Sequence, residues 1–162
     1  MGKGERVNIV GIDYSSFNVD IVMVHMDDAH SPLWFRYPLE GADAFERTRN
    51  VAQALPGAHS TNWDDVLAVG IENPGARHPG VNVLWRVQGT ILACLPPRMR
   101  VEPLPPAKWR TLCGLKGNAT KTDVLIASTT ALHAHNAWPQ DAHDAHLIAL
   151  ATRTLIHQEQ AA

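Results

Sequence analysis

Apolar and polar residues alternate in short β-branched runs early in the chain and shift to helical spacing later, and that change of period separates strands from helices. Val7-Asn8-Ile9-Val10-Gly11-Ile12-Asp13 alternates, and after Tyr14-Ser15-Ser16-Phe17-Asn18 a second run from Val19 to Met26 is again rich in valine and isoleucine, which predicts a hairpin. A third strand is expected through Trp34-Phe35-Arg36-Tyr37. It precedes a helix from about Ala42 to Leu55, ended by Pro56-Gly57. Val66 to Glu72 forms a fourth strand that Asn73-Pro74-Gly75 halts. Beyond it Val81, Leu84, Val87, Gln88, Ile91, Leu92 and Leu95 fall at helical spacing until Pro96-Pro97. Val101 marks a short fifth strand, and Pro106 opens a helix through Arg110. Thr120 is the expected N-cap of a helix from Lys121 to about Ala134, and a last helix runs from Asp141 to about His157. Strands first, then strands alternating with helices, then helices: this order predicts an α/β fold in one domain over 1–162, a mixed five-stranded sheet flanked by helices.

Composition narrows the class. With 45% hydrophobic and 19% charged residues the chain resembles a globular protein, and no segment approaches the roughly 18 apolar residues of a membrane span. The start, Met1-Gly2-Lys3-Gly4-Glu5-Arg6, lacks the apolar region of a secretory signal. Cys94 and Cys113 stand alone, without a disulfide framework or a CxxC motif, so reduced thiols in a cytoplasmic protein are expected.

A net charge of −2 argues against a polyanionic partner until its distribution is read. Between positions 77 and 121, Arg77, Arg86, Arg98, Arg100, Lys108, Arg110, Lys116 and Lys121 face the single acid Glu102, a net +7, while the rest of the chain carries −9. One surface that meets a polyanion, with carboxylates elsewhere that gather metal ions, would produce that split.

The acids have a pattern of their own. Asp13 ends the first strand and Glu72 the fourth, while Asp141 and Asp144 share a helix face that continues through Ile148, Ala151 and Leu155 toward the core. Carboxylates on a buried stripe are costly unless paired, and nothing basic lies near them in sequence. Two hard cations such as Mg²⁺, about 3.5–4 Å apart, would resolve the conflict and could promote phosphodiester hydrolysis. Taken singly, each acid also has an ordinary role: Asp141 as an N-cap, Asp144 in favourable contact with the helix dipole, Asp13 and Glu72 as turn residues.

In order along the chain, Val10-Gly11-Ile12-Asp13-Tyr14-Ser15-Ser16, Val69-Gly70-Ile71-Glu72, Pro106-Ala107-Lys108 with Gly114-Leu115-Lys116-Gly117-Asn118-Ala119-Thr120-Lys121, and Asp141-Ala142-His143-Asp144-Ala145-His146-Leu147-Ile148-Ala149 resemble the RuvC family of Holliday junction resolvases, within the RNase H-like superfamily. The resemblance implies an RNase H-like fold, Asp13, Glu72, Asp141 and Asp144 as ligands of two Mg²⁺ (Mn²⁺ substituting), and Lys108 and Lys121 at DNA-contacting positions, Lys121 also supporting the transition state. Arg110, Lys116 and Arg77 complete the expected DNA contacts. It further implies branched DNA as substrate and a homodimer, with the Val81–Leu95 helix as one candidate interface. Two features depart from the family. Tyr14 stands where a proline is common, and the loop Asn73-Pro74-Gly75-Ala76-Arg77-His78 lacks an aromatic side chain to stack at the junction centre, which leaves forks and flaps as further substrates with Arg77 or His78 as substitutes.

His143 lies about 100° from both acids on the helix and is expected at its surface, with a general acid or base role as the alternative. His133 and His135, beside Asn136 and Trp138, lack a third spaced ligand for zinc. Trp85 and Trp109 either stack on bases or belong to a core or interface. The rival functions are a nuclease acting on RNA or RNA–DNA hybrids with the same metals, and a non-catalytic branched-DNA-binding module, which gains nothing from carboxylates near phosphate.

Overall fold

The computed structural model describes residues 8–27, 30–54, 62–75, 80–130 and 137–162. Five strands, β1 (Asn8–Tyr14), β2 (Asn18–His25), β3 (Leu33–Pro38), β4 (Val66–Glu72) and β5 (Arg100–Leu104), form one sheet in the order β3-β2-β1-β4-β5. β1 pairs antiparallel with β2 and parallel with β4; β2 and β3 are antiparallel, β4 and β5 parallel. The mixed sheet predicted from the sequence is therefore the observed one. Helices α1 (Ala44–Ala54), α2 (Val81–Cys94), α3 (Pro106–Leu112), α4 (Lys121–Thr130) and α5 (Gln140–Gln160) cover it. No helix among the described residues is long and apolar enough to cross a membrane.

Alternation along β1 divides the core in two. Val10, Ile12 and Tyr14 point to one face with Val69, Ile71, Val87 and Ile91, beneath α2 and Val51 of α1. Ile9 points to the other with Ala68, Ala145, Ile148 and Ala149, where α5 lies with α3 and α4 against it. Helix α5 approaches the strands closely because glycine lines its path: a Cβ at Gly11 would sit 2.0 Å from the Ala145 carbonyl oxygen, and one at Gly70 the same distance from Thr152 Oγ1. Gly11 and Gly70 are register partners on adjacent strands, so together they form a shallow trough under the helix.

Local signals in the sequence account for most element ends. Pro106 opens α3, and Thr120 forms a capping box with Asp123: the Asp123 carboxylate accepts from the Thr120 N–H and Oγ1, both at 2.8 Å, while the Asp123 N–H donates to Thr120 Oγ1 at 3.2 Å. Helix α4 is described to Thr130. The expected continuation to Ala134, together with His133, His135 and Asn136, lies outside the described residues, as do Arg77 and His78.

Candidate active site

Because β1 turns Gly11 toward α5, Asp13 points to that face as well, past the end of the trough. Register then sets a polar row across the sheet. Asp13 is opposite Asp20 on β2, and Asp20 is opposite Arg36 on β3. On the other side Ile12 pairs with Ile71, which brings Glu72 to the level of Asp13. The first turns of α5 add Asp141 and Asp144.

These four acids share one electrostatic environment. Burial pushes the Asp13 carboxyl well above the usual carboxylate range, and the charges of Glu72, Asp144 and Asp141 push the same way against a hydrogen bond from the Tyr14 backbone. Asp144 is also raised, by burial first and then by Asp141, while its Gln140 hydrogen bond at 2.9 Å and the positive charges of Arg110 and Lys121 pull it down. Glu72 is held firmly. Its Oε2 accepts from Trp109 Nε1 at 3.1 Å, and its carbonyl accepts from Tyr14 Oη at 3.0 Å and Gln88 Nε2 at 2.9 Å.

Arg110 of α3 and Lys121 of α4 act on Asp144, and Lys108 of α3 and Lys116 of the loop between the two helices add further positive charge. Lys108, Lys116 and Lys121 are exposed, whereas Arg110 is half-buried, its guanidinium 4.9 Å from the Trp109 ring centroid and its Nη1 donating to the Gly117 carbonyl at 3.3 Å. Trp109 is fully buried beneath Glu72, which settles its role as core rather than base-stacking platform.

The structure departs from the sequence expectations at three points. His143 is not at the helix surface: it is 0% exposed, and its Nδ1 and that of His146 both lie 2.9 Å from Ser128 Oγ, tying α5 to α4. The helix surface expected at that position is covered by α4 and by Trp138, which packs on both histidine rings. The acids also have a basic neighbour that sequence proximity hid, since Arg36 Nη2 reaches Asp141 Oδ2 at 3.5 Å. Asp141 is not the N-cap of α5, a place taken by Pro139; it lies in the first turn.

Among the described residues, no group of three or more histidine, cysteine, aspartate or glutamate side chains is drawn together tightly enough to hold a metal ion as it stands. Glu72 instead hydrogen-bonds Trp109, Asp144 hydrogen-bonds Gln140, and Asp141 lies 3.5 Å from Arg36. The donor set nevertheless suits a hard cation. Its ligands are all carboxylate oxygens, Asp13 is buried among three other acids with no basic side chain among the described residues hydrogen-bonded to it, and Asn73 Oδ1, just after β4, is a buried oxygen without a partner.

Sequence reasoning missed Asp20, Arg36, Gln88 and Gln140. Asp20 left a usable signal, a lone acid inside the apolar run Val19-Asp20-Ile21-Val22. The others became relevant only through register and packing.

No protein-family model matches the chain, and no curated protein sequence matches it. Its fold matches that of Thermus thermophilus RuvC with a TM-score of 0.72, at 16% identity over 94% of this chain and 96% of that one. The structure of T. thermophilus RuvC in complex with Holliday junction substrate matches with a TM-score of 0.71, at 16% identity over 93% and 96% of the two chains. The chain has the RuvC-type, RNase H-like fold.

Proposed function

We propose that this protein is a metal-dependent endonuclease that cleaves branched DNA, Holliday junctions first and forks or flaps beside them. The observation that carries the reading is the carboxylate row: Asp13, Glu72, Asp141 and Asp144 come together from three elements of a RuvC-type fold, and burial first, then the charges of the other three, holds Asp13 well above its normal pKa. Such crowding is unfavourable to the fold and useful for cation binding. Those four residues would hold two Mg²⁺, with Mn²⁺ able to substitute. When bound, the ions supply activation of water and stabilisation of the leaving oxygen.

The chain's own residues do the rest. Trp109, Tyr14 and Gln88 fix Glu72 and its strand end, and the α5 trough fixes Asp141 and Asp144 against β1. Lys108, Lys116 and Lys121, with Arg110 and Arg77, are assigned to the DNA backbone, and Lys121 also to charge developing on the phosphate.

The test is incubation of purified protein with labelled four-way junction, flap, linear duplex and RNA–DNA hybrid, with Mg²⁺ or Mn²⁺, beside Asp144→Asn. The expected result is metal-dependent cutting of the branched DNA that Asp144→Asn abolishes. Cutting confined to the hybrid would transfer the site to RNA. No cutting by folded protein under either metal would sink the reading.

Paired incisions need two sites, and a homodimer through α2 is part of the proposal. Trp85 and Leu92 of α2 are 45% and 41% exposed, and with Phe45 of α1 at 68% they leave an apolar surface beside a groove of about 580 Å³. Trp85→Asp is expected to convert a dimer to a monomer in sedimentation velocity without loss of the melting transition. A monomeric wild type at micromolar concentration would remove this interface.

A further inference from the structure

Asp20 is 0% exposed in the middle of an apolar strand, where an acid is expensive and where a hydrophobic residue would stabilise the sheet as well or better. It faces α5 directly opposite Asp13, on the row of the four site carboxylates. Both its oxygens are engaged. Oδ1 accepts from Arg36 Nε at 3.0 Å and from Trp34 Nε1 at 2.8 Å, and Oδ2 accepts from Arg36 Nη2 at 2.9 Å.

Arg36 is a permanent cation beside an anionic cluster. Left to itself, the guanidinium would be drawn onto Asp141 and Asp13 and would neutralise the carboxylates that a divalent ion needs. Instead the bidentate pair with Asp20 fixes the fork, Trp34 fixes Asp20, and Arg36 retains only the 3.5 Å contact to Asp141, at the outer limit of a hydrogen bond.

We infer that Asp20 holds Arg36 back from the carboxylate cluster, taking up its charge and its directional hydrogen bonds, so that Asp13, Asp141 and Asp144 stay available to a divalent cation. The inference rests on the metal site proposed above. It assigns Asp20 and Arg36 the role of positioning residues, with no contact to substrate required. An ion pair that stabilised only the fold would not need an N–H of its arginine aimed partly at a site carboxylate, nor a place directly opposite Asp13.

The deciding measurement is Mn²⁺ binding, read as loss of the free-ion paramagnetic resonance signal, for wild type, Asp20→Asn and the double variant Asp20→Asn/Arg36→Gln, with circular dichroism melts of each. Asp20→Asn keeps the shape but frees the charge of Arg36, and should weaken Mn²⁺ binding by about tenfold or more. The double variant removes both charges together and should return to within about threefold of wild type, a recovery that a purely structural pair would not show. Unchanged binding in Asp20→Asn overturns the inference, as does a double variant no better than the single one. Should Asp20→Asn fail to fold, the double variant decides alone: wild-type binding supports the inference, and a tenfold loss makes Arg36 a required partner of Asp141 and overturns it. A wild type that binds no Mn²⁺ rejects the metal site itself and the inference with it.

Discussion

Asp13→Asn is expected to abolish cleavage while making the metal-free protein harder to melt. The loss should be about a thousandfold or more, corresponding to roughly 4 kcal/mol of barrier, because Asp13 is the most buried of the four proposed ligands and the one least replaceable by solvent. The gain follows from the sign of its shift. Asp13 is raised in the folded chain, so the folded state holds its proton where the unfolded state has released it, and this group disfavours folding at neutral pH. As pH falls through the raised folded value toward the ordinary carboxylate range, that penalty disappears. Asparagine, uncharged at every pH, should therefore melt higher than wild type by about 1–2 kcal/mol, or roughly 2–8 °C, at pH ~7 without metal. The difference should narrow toward pH ~4.5.

Comparing the two proteins at each pH isolates Asp13 from His143, whose depressed pKa acts in the opposite direction: its burial penalises the charged ring, so its stability contribution is lost as pH falls through the unfolded histidine value. Differential scanning calorimetry in chelator across that range checks the prediction. Equal melting temperatures at pH ~7 would mean that the four acids do not strain the fold. Adding Mg²⁺ should reverse the order, because only wild type retains all four proposed ligands.

Gly11→Ala should be the most damaging small substitution outside the acids. Its Cβ would meet the Ala145 carbonyl oxygen at 2.0 Å, the Ala149 nitrogen at 2.5 Å and the Ala149 Cβ at 2.9 Å, mostly backbone of a helix that cannot step aside locally. Relief requires lifting α5 from β1, which opens the core over Ile9, Ala68 and Ile148 and carries Asp141 and Asp144 away from Asp13. A cost of about 4 kcal/mol or more is expected, near the limit of what a domain of ordinary stability survives. Gly70→Ala is the graded control. Its nearest neighbour is Thr152 Oγ1, a side-chain atom that can rotate away at the loss of its 2.8 Å hydrogen bond to the Ile148 carbonyl, so a cost of about 1–3 kcal/mol is expected. Urea midpoints rank the two, and a milder effect at Gly11 than at Gly70 would contradict the trough as the feature that seats α5.

These predictions join fold and site through the same atoms. The glycines that let α5 lie close also set the distance between the β1 acid and the helix acids, so stability and proposed catalysis fail together at Gly11 and separate at Asp13.

Periodicity and punctuation in the sequence determined the elements of this protein: two β-branched runs around Tyr14–Asn18, the stop at Asn73-Pro74-Gly75, the Pro106 opening and the Thr120 cap each act within a few residues, where backbone sterics and local hydrogen bonds decide. The acids at strand ends and on one stripe of α5 were legible for the same reason, since alternation and the helical repeat fix which way a side chain points. Tertiary structure alone decided what those acids meet. Whether Trp109 supports Glu72, whether His143 faces Ser128 or water, and whether an arginine on β3 reaches Asp141 all depend on tertiary packing, chiefly on register between strands and on how closely α5 can approach them. Those choices are set by contacts between residues far apart in the chain, chiefly the two glycines facing one helix, and no local pattern around Arg36 or His143 carries that information.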